Sequence, residues 1–445
     1  MKRKHQEANG AESSKKPKQQ KSFDFSVYPK RKIAIRFFYY GWMYDGLVQQ
    51  RDTPNTVEKH IIDALVKTRL IESGETCDFS RSGRTDKGVS AFKQVAAFVS
   101  RSATLDDGAF WGDDTSEDTK RLYNSMEDLP YLKMLNGVLP QSIRVTSWAK
   151  VPLDFSARFA CSARTYKYAI PRAAYDIEKL RAAAQLLVGS HDYRNFCQAP
   201  GQFARRKVNG CANEMARNAR DKIDTNAARV HVSYVRNIYS ITVEQVSGDS
   251  SSPTRYDLIE LTVCGSGFLW HMIRFIVGVL HEIGLGHEPV ELISDLLDIE
   301  KTPRRPVYAM AVDSPLCLFD CRYDKEGLTL PWVHATEQVA EKNLISLQKM
   351  WAESATRARM LQNMIEGLRE DCGTGTNEDK GLQEFVQDKH QSDKYVPFSA
   401  RNVCDSLQEK AEKLETKRLK KEEEWRDPSK WPSEEKAAEG DLIDS

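Results

Sequence analysis

The chain has 445 residues, 40% hydrophobic and 29% charged, with a formal net charge of +1, which suits a soluble globular body carrying charged segments. At roughly 100–200 residues per domain it predicts two or three units. No stretch approaches the roughly 20 apolar residues of a membrane span, no secretory signal follows Met1, and nine cysteines without a C-x-x-C pair argue against a zinc site and read as reduced thiols of an intracellular protein.

In chain order, residues 1–29 are polar and lack hydrophobic periodicity, the pattern of a disordered basic tail. Clusters at 2–4 and 15–18 suit nuclear import or loose phosphate contact. Residues 1–32 hold ten Lys/Arg against three Asp/Glu, so the rest of the chain is net −6. Any basic groove in the body must therefore be segregated from acidic surface. Structure is predicted from Arg31, where Ile33, Ile35, Phe37 and Tyr39 alternate with polar or small residues as in a strand. Asn55 and Thr56 supply cap chemistry for a helix to about Leu70. Strands follow at 94–99 and 143–150, with a short helix at 131–138. Residues 102–130 hold eight Asp/Glu and two Lys/Arg, and are expected to point away from any polyanion. Further on come a strand at 164–170, an amphipathic helix at 177–188, and long antiparallel strands at 230–246 and 255–264 joined by a Ser/Gly/Asp-rich loop. An apolar helix is expected at 268–283 and another at 290–297, with Pro289 in its first turn. Beyond Asp324 the character changes: apolar residues at helical spacing over 347–368 predict a docking or pairing helix, followed by a Lys/Glu run with Trp425 and Trp431.

Residues 80–98 (SRSGRTDKGVSAFKQVAAF) carry the chemistry. Arg81, Arg84 and Lys87 surround Asp86, and Gly83 and Gly88 flank it. Glycines permit tight turns and close backbone approach to a large ligand. Three cations around a carboxylate favour its charged form, the form that serves as nucleophile or base rather than acid. The same cations would hold a polyanion such as an RNA backbone. Read locally, the loop is better taken as a surface turn ordered by salt bridges.

The run RSGRTDKGVSA resembles the signature of the TruA family of tRNA pseudouridine synthases. Three further segments are similar to family motifs in the same order: residues 40–50 (YGWMYDGLVQQ), 155–168 (FSARFACSARTYKY) and 265–279 (GSGFLWHMIRFIVGV). The resemblance covers about residues 30–325. It implies that Asp86 is the catalytic residue, that Arg84 helps displace the target nucleotide, that Tyr166 packs on the target base, and that Arg274 pairs with the aspartate. Arg81 and Lys87 are expected to add substrate contacts. Ser82 and Trp270 depart from the family, which often carries cysteine and tyrosine there. Residues 189–197 and 314–321 are similar to the eukaryotic branch that modifies positions 38 and 39 of the anticodon stem-loop.

The resemblance implies an α+β fold: two similar halves forming a mixed, mainly antiparallel sheet flanked by helices. The expected organisation is a tail at 1–29, an N-terminal catalytic half at 30–160, a C-terminal half at 161–325, and a helical, charged extension at 326–445. It further implies tRNA as partner, a homodimer with tRNA reaching across both subunits, residence in nucleus and cytoplasm, and an isomerisation that needs no cofactor or metal. The competing readings are a non-catalytic tRNA-binding protein or RNA chaperone on the same fold, and an interaction protein organised by the C-terminal region.

Overall fold

A computed structural model describes residues 23–106, 108–123, 127–198, 233–246, 252–372, 380–387 and 395–405, with scattered positions between 409 and 419. The basic clusters at 2–4 and 15–18, and Trp425 and Trp431, lie outside the described residues. Order begins before Arg31. Phe23 and Tyr28 stack at 5.4 Å and the Arg69 and Arg101 guanidiniums lie over Phe23, so the last residues of the expected tail belong to the body.

The strands are β1 (Lys30–Tyr39), β2 (Ser80–Arg81), β3 (Ser90–Arg101), β4 (Ala109–Phe110), β5 (Ile143–Lys150), β6 (Ala163–Pro171), β7 (Gly189–Asp192), β8 (Val235–Gln245), β9 (Leu258–Gly265), β10 (Leu316–Arg322) and β11 (Val333–His334). They form one sheet in the order β11-β5-β1-β3-β10-β6-β9-β8-β7, with β2 on β3 and β4 on β1. All of its pairings are antiparallel except one: β10 runs parallel to β3, through Cys317↔Ser90 and Leu318↔Ala91. The mixed, mainly antiparallel sheet is thus two antiparallel ladders joined along a short parallel seam, and β3 reaches that seam directly from the Asp86 loop.

The helices are α1 (Val57–Lys67), α2 (Glu117–Leu122), α3 (Tyr131–Asn136), α4 (Ile177–Gln185), α5 (Met272–Gly284), α6 (Leu292–Leu297), α7 (Glu337–Cys372) and α8 (Lys380–Glu384). Among the described residues no helix is long and apolar enough to cross a membrane. Thr56 caps α1 by accepting from the Lys59 amide, as a threonine at that position should. Ile61 and Leu65 on one face of α1 are buried, as are Ile33, Ile35 and Phe37 of β1. The acidic segment lies against the start of β1 and the end of β5. Asp106 pairs with Arg31 and Lys150, and Asp128 pairs with Lys150. At about 3.3 Å per residue, the length of β1 sets this acidic cluster roughly 30 Å from the Tyr39 end, where the Asp86 loop docks.

The apolar helix expected at 268–283 begins instead at Met272. The four residues before it are displaced from the helix because His271 adopts a left-handed conformation, φ 62°. Every residue of α5 is buried. Inside it, His281 bonds the Tyr175 hydroxyl, and burial pulls its pKa down to about 4. The folded chain therefore keeps this imidazole neutral where the unfolded chain, titrating near 6.5, takes up a proton. Its stabilisation is complete above about pH 6.5 and is lost progressively as pH falls toward 4, about 3 kcal/mol in all. Urea midpoints measured from pH 7 to 5 should fall, and His281→Gln should flatten the fall; equal slopes for both proteins would refute the assignment.

Candidate active site

Asp86 sits in a loop fastened from three directions, and each fastening comes from one of the sequence motifs. Within the loop, the Val89 amide donates to the Asp86 carbonyl at 3.2 Å, closing a four-residue turn. Gly88, third in that turn, has φ +79°, a region where a side chain is strained. The buried Gln94 amide clasps the loop entrance, accepting from the Gly83 N–H and donating to its carbonyl, both at 3.2 Å.

The first motif, residues 40–50, fastens the outer side. The Leu47 amide donates to the Thr85 carbonyl at 3.1 Å and the Gly88 amide to the Tyr44 carbonyl at 3.3 Å. Tyr39 and Thr85 hydroxyls meet at 2.7 Å in the core. Gly41 packs so closely that a Cβ there would lie 2.0 Å from the Val89 carbonyl oxygen. The second motif fastens the inner side. Arg164 donates to the carbonyls of Ser82 at 2.7 Å, Arg158 at 2.9 Å and Ser266 at 3.1 Å, tying the loop to the end of β9. Ser82 donates to the Cys321 sulfur on β10 at 3.2 Å, which gives the serine at this position a packed role.

The third motif supplies the groups on Asp86 itself. The Trp270 indole N–H donates to Asp86 Oδ1 at 3.1 Å, and His271 Nε2 lies 3.4 Å from Oδ2. Consecutive side chains normally diverge, but the left-handed turn at His271 lets both rings reach one carboxylate. The rings lie 4.3 Å apart between centroids. Asp86 keeps 30% of its side chain exposed, so the carboxylate is held on both oxygens and still open to solvent.

The other expected site residues divide. Tyr166 is nearly buried on β6, edge-on to Phe268 at 5.2 Å. Burial, with the Asp86 charge adding to it, pushes its phenol well above the usual range, so Tyr166 is a protonated aromatic wall and not a base. Arg84 is exposed beside the aspartate. Arg274 does not take the expected place on Asp86. It is buried in α5, donates from Nε to the Ala311 carbonyl at 2.6 Å, and has Asp313 at 3.9 Å. The geometric reason is the delayed start of α5: residues 270 and 271 turn toward the loop while residue 274 lies a turn inside the helix. Arg81 is likewise engaged elsewhere, paired at 2.8 Å with Glu58, a carboxyl that burial pushes up and Arg81 pulls back down. Lys87, 76% exposed, pairs with Asp45 at 3.0 Å. In place of the expected ring of three cations, Asp86 has one indole donor on one oxygen and an imidazole close to the other. Sequence reasoning gave no site role to Trp270, His271, Arg164 or Gln94; all four lay inside quoted motifs, Gln94 eight residues beyond Asp86 at the start of a stretch read only as a strand.

Comparison with known proteins places this geometry. A family model described as tRNA pseudouridine synthase matches residues 221–324. The probable tRNA pseudouridine synthase of Caenorhabditis elegans is 49% identical over 419 residues, covering 93% of this chain and 96% of that protein. The tRNA pseudouridine(38/39) synthase of Homo sapiens is 38% identical over 377 residues, 83% of this chain and 70% of that protein. The protein of the same name from Saccharomyces cerevisiae is 38% identical over 325 residues, 72% of this chain and 64% of that protein.

Proposed function

The chain belongs to the tRNA pseudouridine synthase family, and on that premise we propose that it isomerises uridine to pseudouridine at positions 38 and 39 of the tRNA anticodon stem-loop, with Asp86 as the catalytic residue. The observation that carries this reading is the Asp86 carboxylate held between Trp270 and His271 at the rim of the parallel seam. The reaction breaks the N1–C1′ bond, turns the uracil and rejoins it through C5; the proton on C5 leaves and N1 gains one, so atoms balance without a cofactor. A carboxylate can serve by adding to the sugar at C1′ or by removing the C2′ proton, and both routes need an oxygen fixed in place. The target base must leave the helical stack at a cost of a few kcal/mol. Exposed Arg84 would fill the space it leaves, and Tyr166 with Phe268 would form an apolar wall for the base.

The test is pseudouridine mapping at single-nucleotide resolution on tRNA incubated with purified protein. Marks at 38 or 39 are expected. Marks elsewhere would keep the chemistry and overturn the position; bound but unmarked tRNA would hand the function to a non-catalytic tRNA-binding protein.

Replacing Trp270 by phenylalanine removes one neutral donor from a charged acceptor, an interaction worth about 1.5–3 kcal/mol. A fall in kcat of about 10- to 100-fold is expected, with KM for tRNA changed far less. Equal kcat for Trp270→Phe and wild type would remove the indole from the mechanism.

The same reading includes a homodimer. It is supported by α7, whose Trp351, Leu361, Met364 and Leu368 are all exposed along 36 residues, the kind of apolar surface that marks an interaction site. Sedimentation at micromolar concentration should give twice the chain mass.

A further inference from the structure

Away from Asp86, residues of the first half of α7, of α3 and of β5 line a groove of about 640 Å³. Lys133 of α3, Arg144 of β5, and Lys342 and Lys349 of α7 line it against a single carboxylate, Glu353. That carboxylate is paired to Arg357 at 2.5 Å. Lys342, Ser346 and Lys349 follow one another at helical spacing, so one face of α7 turns its cations inward. Lys133, Lys342 and Lys349 are exposed, and none of them is in an ion pair among the described residues. Asn343, also in the lining, is only 9% exposed, and its side-chain amide has no hydrogen-bond partner among the described residues.

This concentration of positive charge stands out because the chain beyond residue 32 is net −6. The acid is gathered elsewhere, at the far end of β1, where Asp106 and Asp128 meet Arg31 and Lys150. The groove is also continuous with the catalytic loop. Tyr40 lines it and stacks on Trp42 at 6.1 Å, and Gly41 between them abuts the Val89 carbonyl just past Asp86. Trp42 is 56% exposed, with its indole N–H on the Ser314 carbonyl.

We propose that this groove binds the sugar–phosphate backbone of the tRNA substrate beside the target nucleotide, with Lys133, Lys342 and Lys349 on phosphates, Asn343 as a polar contact, and Tyr40 and Trp42 as the stacking edge leading to Asp86. The inference rests on the tRNA reading above and extends it to the C-terminal helix. Lysine points on a helix face suit phosphate contacts that fix position without reading sequence. Exposed aromatic faces beside them suit unpaired bases.

The test is tRNA binding by full-length protein at several salt concentrations. The double reversal Lys342→Glu with Lys349→Glu is set beside an equal reversal at Lys179 and Lys301, which do not line the groove. The groove reversal should raise Kd at least about tenfold. It should also flatten the dependence of log K on log salt by about one to two units, since each phosphate contact contributes about 0.7–0.9. The control pair should shift Kd by less than threefold. Lys342→Ala with Lys349→Ala, of matched thermal midpoint and sedimentation, should give a smaller loss in the same direction. Unchanged Kd and salt slope in the groove variants, or equal losses in the control pair, would overturn the proposal and leave the groove to another occupant. The two readings fail separately: wild type that binds tRNA through the groove and forms no pseudouridine sinks the activity, while pseudouridine formation with indifferent groove variants sinks the groove.

Discussion

Asp86→Asn protein is expected to form no pseudouridine above about one part in 10⁴ of the wild-type rate while still binding tRNA. Asparagine is nearly isosteric with aspartate, so the Trp270 N–H keeps an acceptor and the turn closed by the Val89 amide is undisturbed. What disappears is the negative oxygen that faces His271 and solvent. An amide is too weak a nucleophile and base to act at the sugar, and a loss of about 10⁴ corresponds to about 5.4 kcal/mol of barrier. Single-turnover mapping on saturating tRNA isolates the chemical step from binding. A residual rate within tenfold of wild type would show that Asp86 holds the loop and that another group does the chemistry.

Arg164→Met should be the most damaging change outside the carboxylate. One guanidinium holds three carbonyls, from Ser82, Arg158 and Ser266, and so joins the Asp86 loop, the link before β6 and the end of β9. Hydrogen bonds from a charged donor contribute about 1.5–3 kcal/mol each, and carbonyls stripped of their donor incur a desolvation penalty where water cannot reach. Allowing for the partial exposure of this group, a stability loss of about 3–5 kcal/mol is expected from urea unfolding. Activity at a temperature where the variant is folded should also fall about 100-fold, because Ser82 precedes Arg84 by two residues and Ser266 precedes Trp270 by four. A loss below about 1 kcal/mol, or full activity in the folded variant, would mean that the loop is held by Gln94 and residues 41–47 alone.

Much of this architecture is legible in the sequence because its signals are local. Alternating residue types marked β1 and β6, although β1 itself is buried on both faces, and Thr56 announced α1 within a residue. The loop around Asp86 was legible as chemistry through its resemblance to a family signature; its glycines and cations alone fit a surface turn better. The partners of Asp86 were not. A run such as FLWHMIRF reads as unbroken helix by hydropathy, and no local signal announces that a histidine will take the left-handed turn that swings two rings onto a distant carboxylate. Arg81 and Arg274 misled for a related reason. A cation near an aspartate in sequence, or in a matching motif, can be claimed by another partner brought close only by the fold, here Glu58 and the Ala311 carbonyl. The groove on α7 was foreshadowed only as a requirement, since a net acidic body must gather its cations somewhere; its location depends on α7 facing α3 and β5, elements distant in sequence.

The parallel seam has a consequence for how the protein is made. On a ribosome, β1 and β3 emerge early and can pair with each other, but the free edge of β3 at Ser90 and Ala91 waits for Cys317 and Leu318. At about 5–20 residues per second, that interval lasts roughly 10–45 s. Throughout it the nascent chain carries an unpaired strand edge next to a half-built Asp86 loop, a hazard for association with other chains. Residues 270 and 271 arrive late in the same interval, so the carboxylate lacks its two aromatic neighbours until nearly the whole body has been synthesised. Biogenesis of this fold is thus a matter of chain closure, with the two ladders joined only once β10 is made, and truncated products ending before β10 should populate aggregates instead of folded bodies.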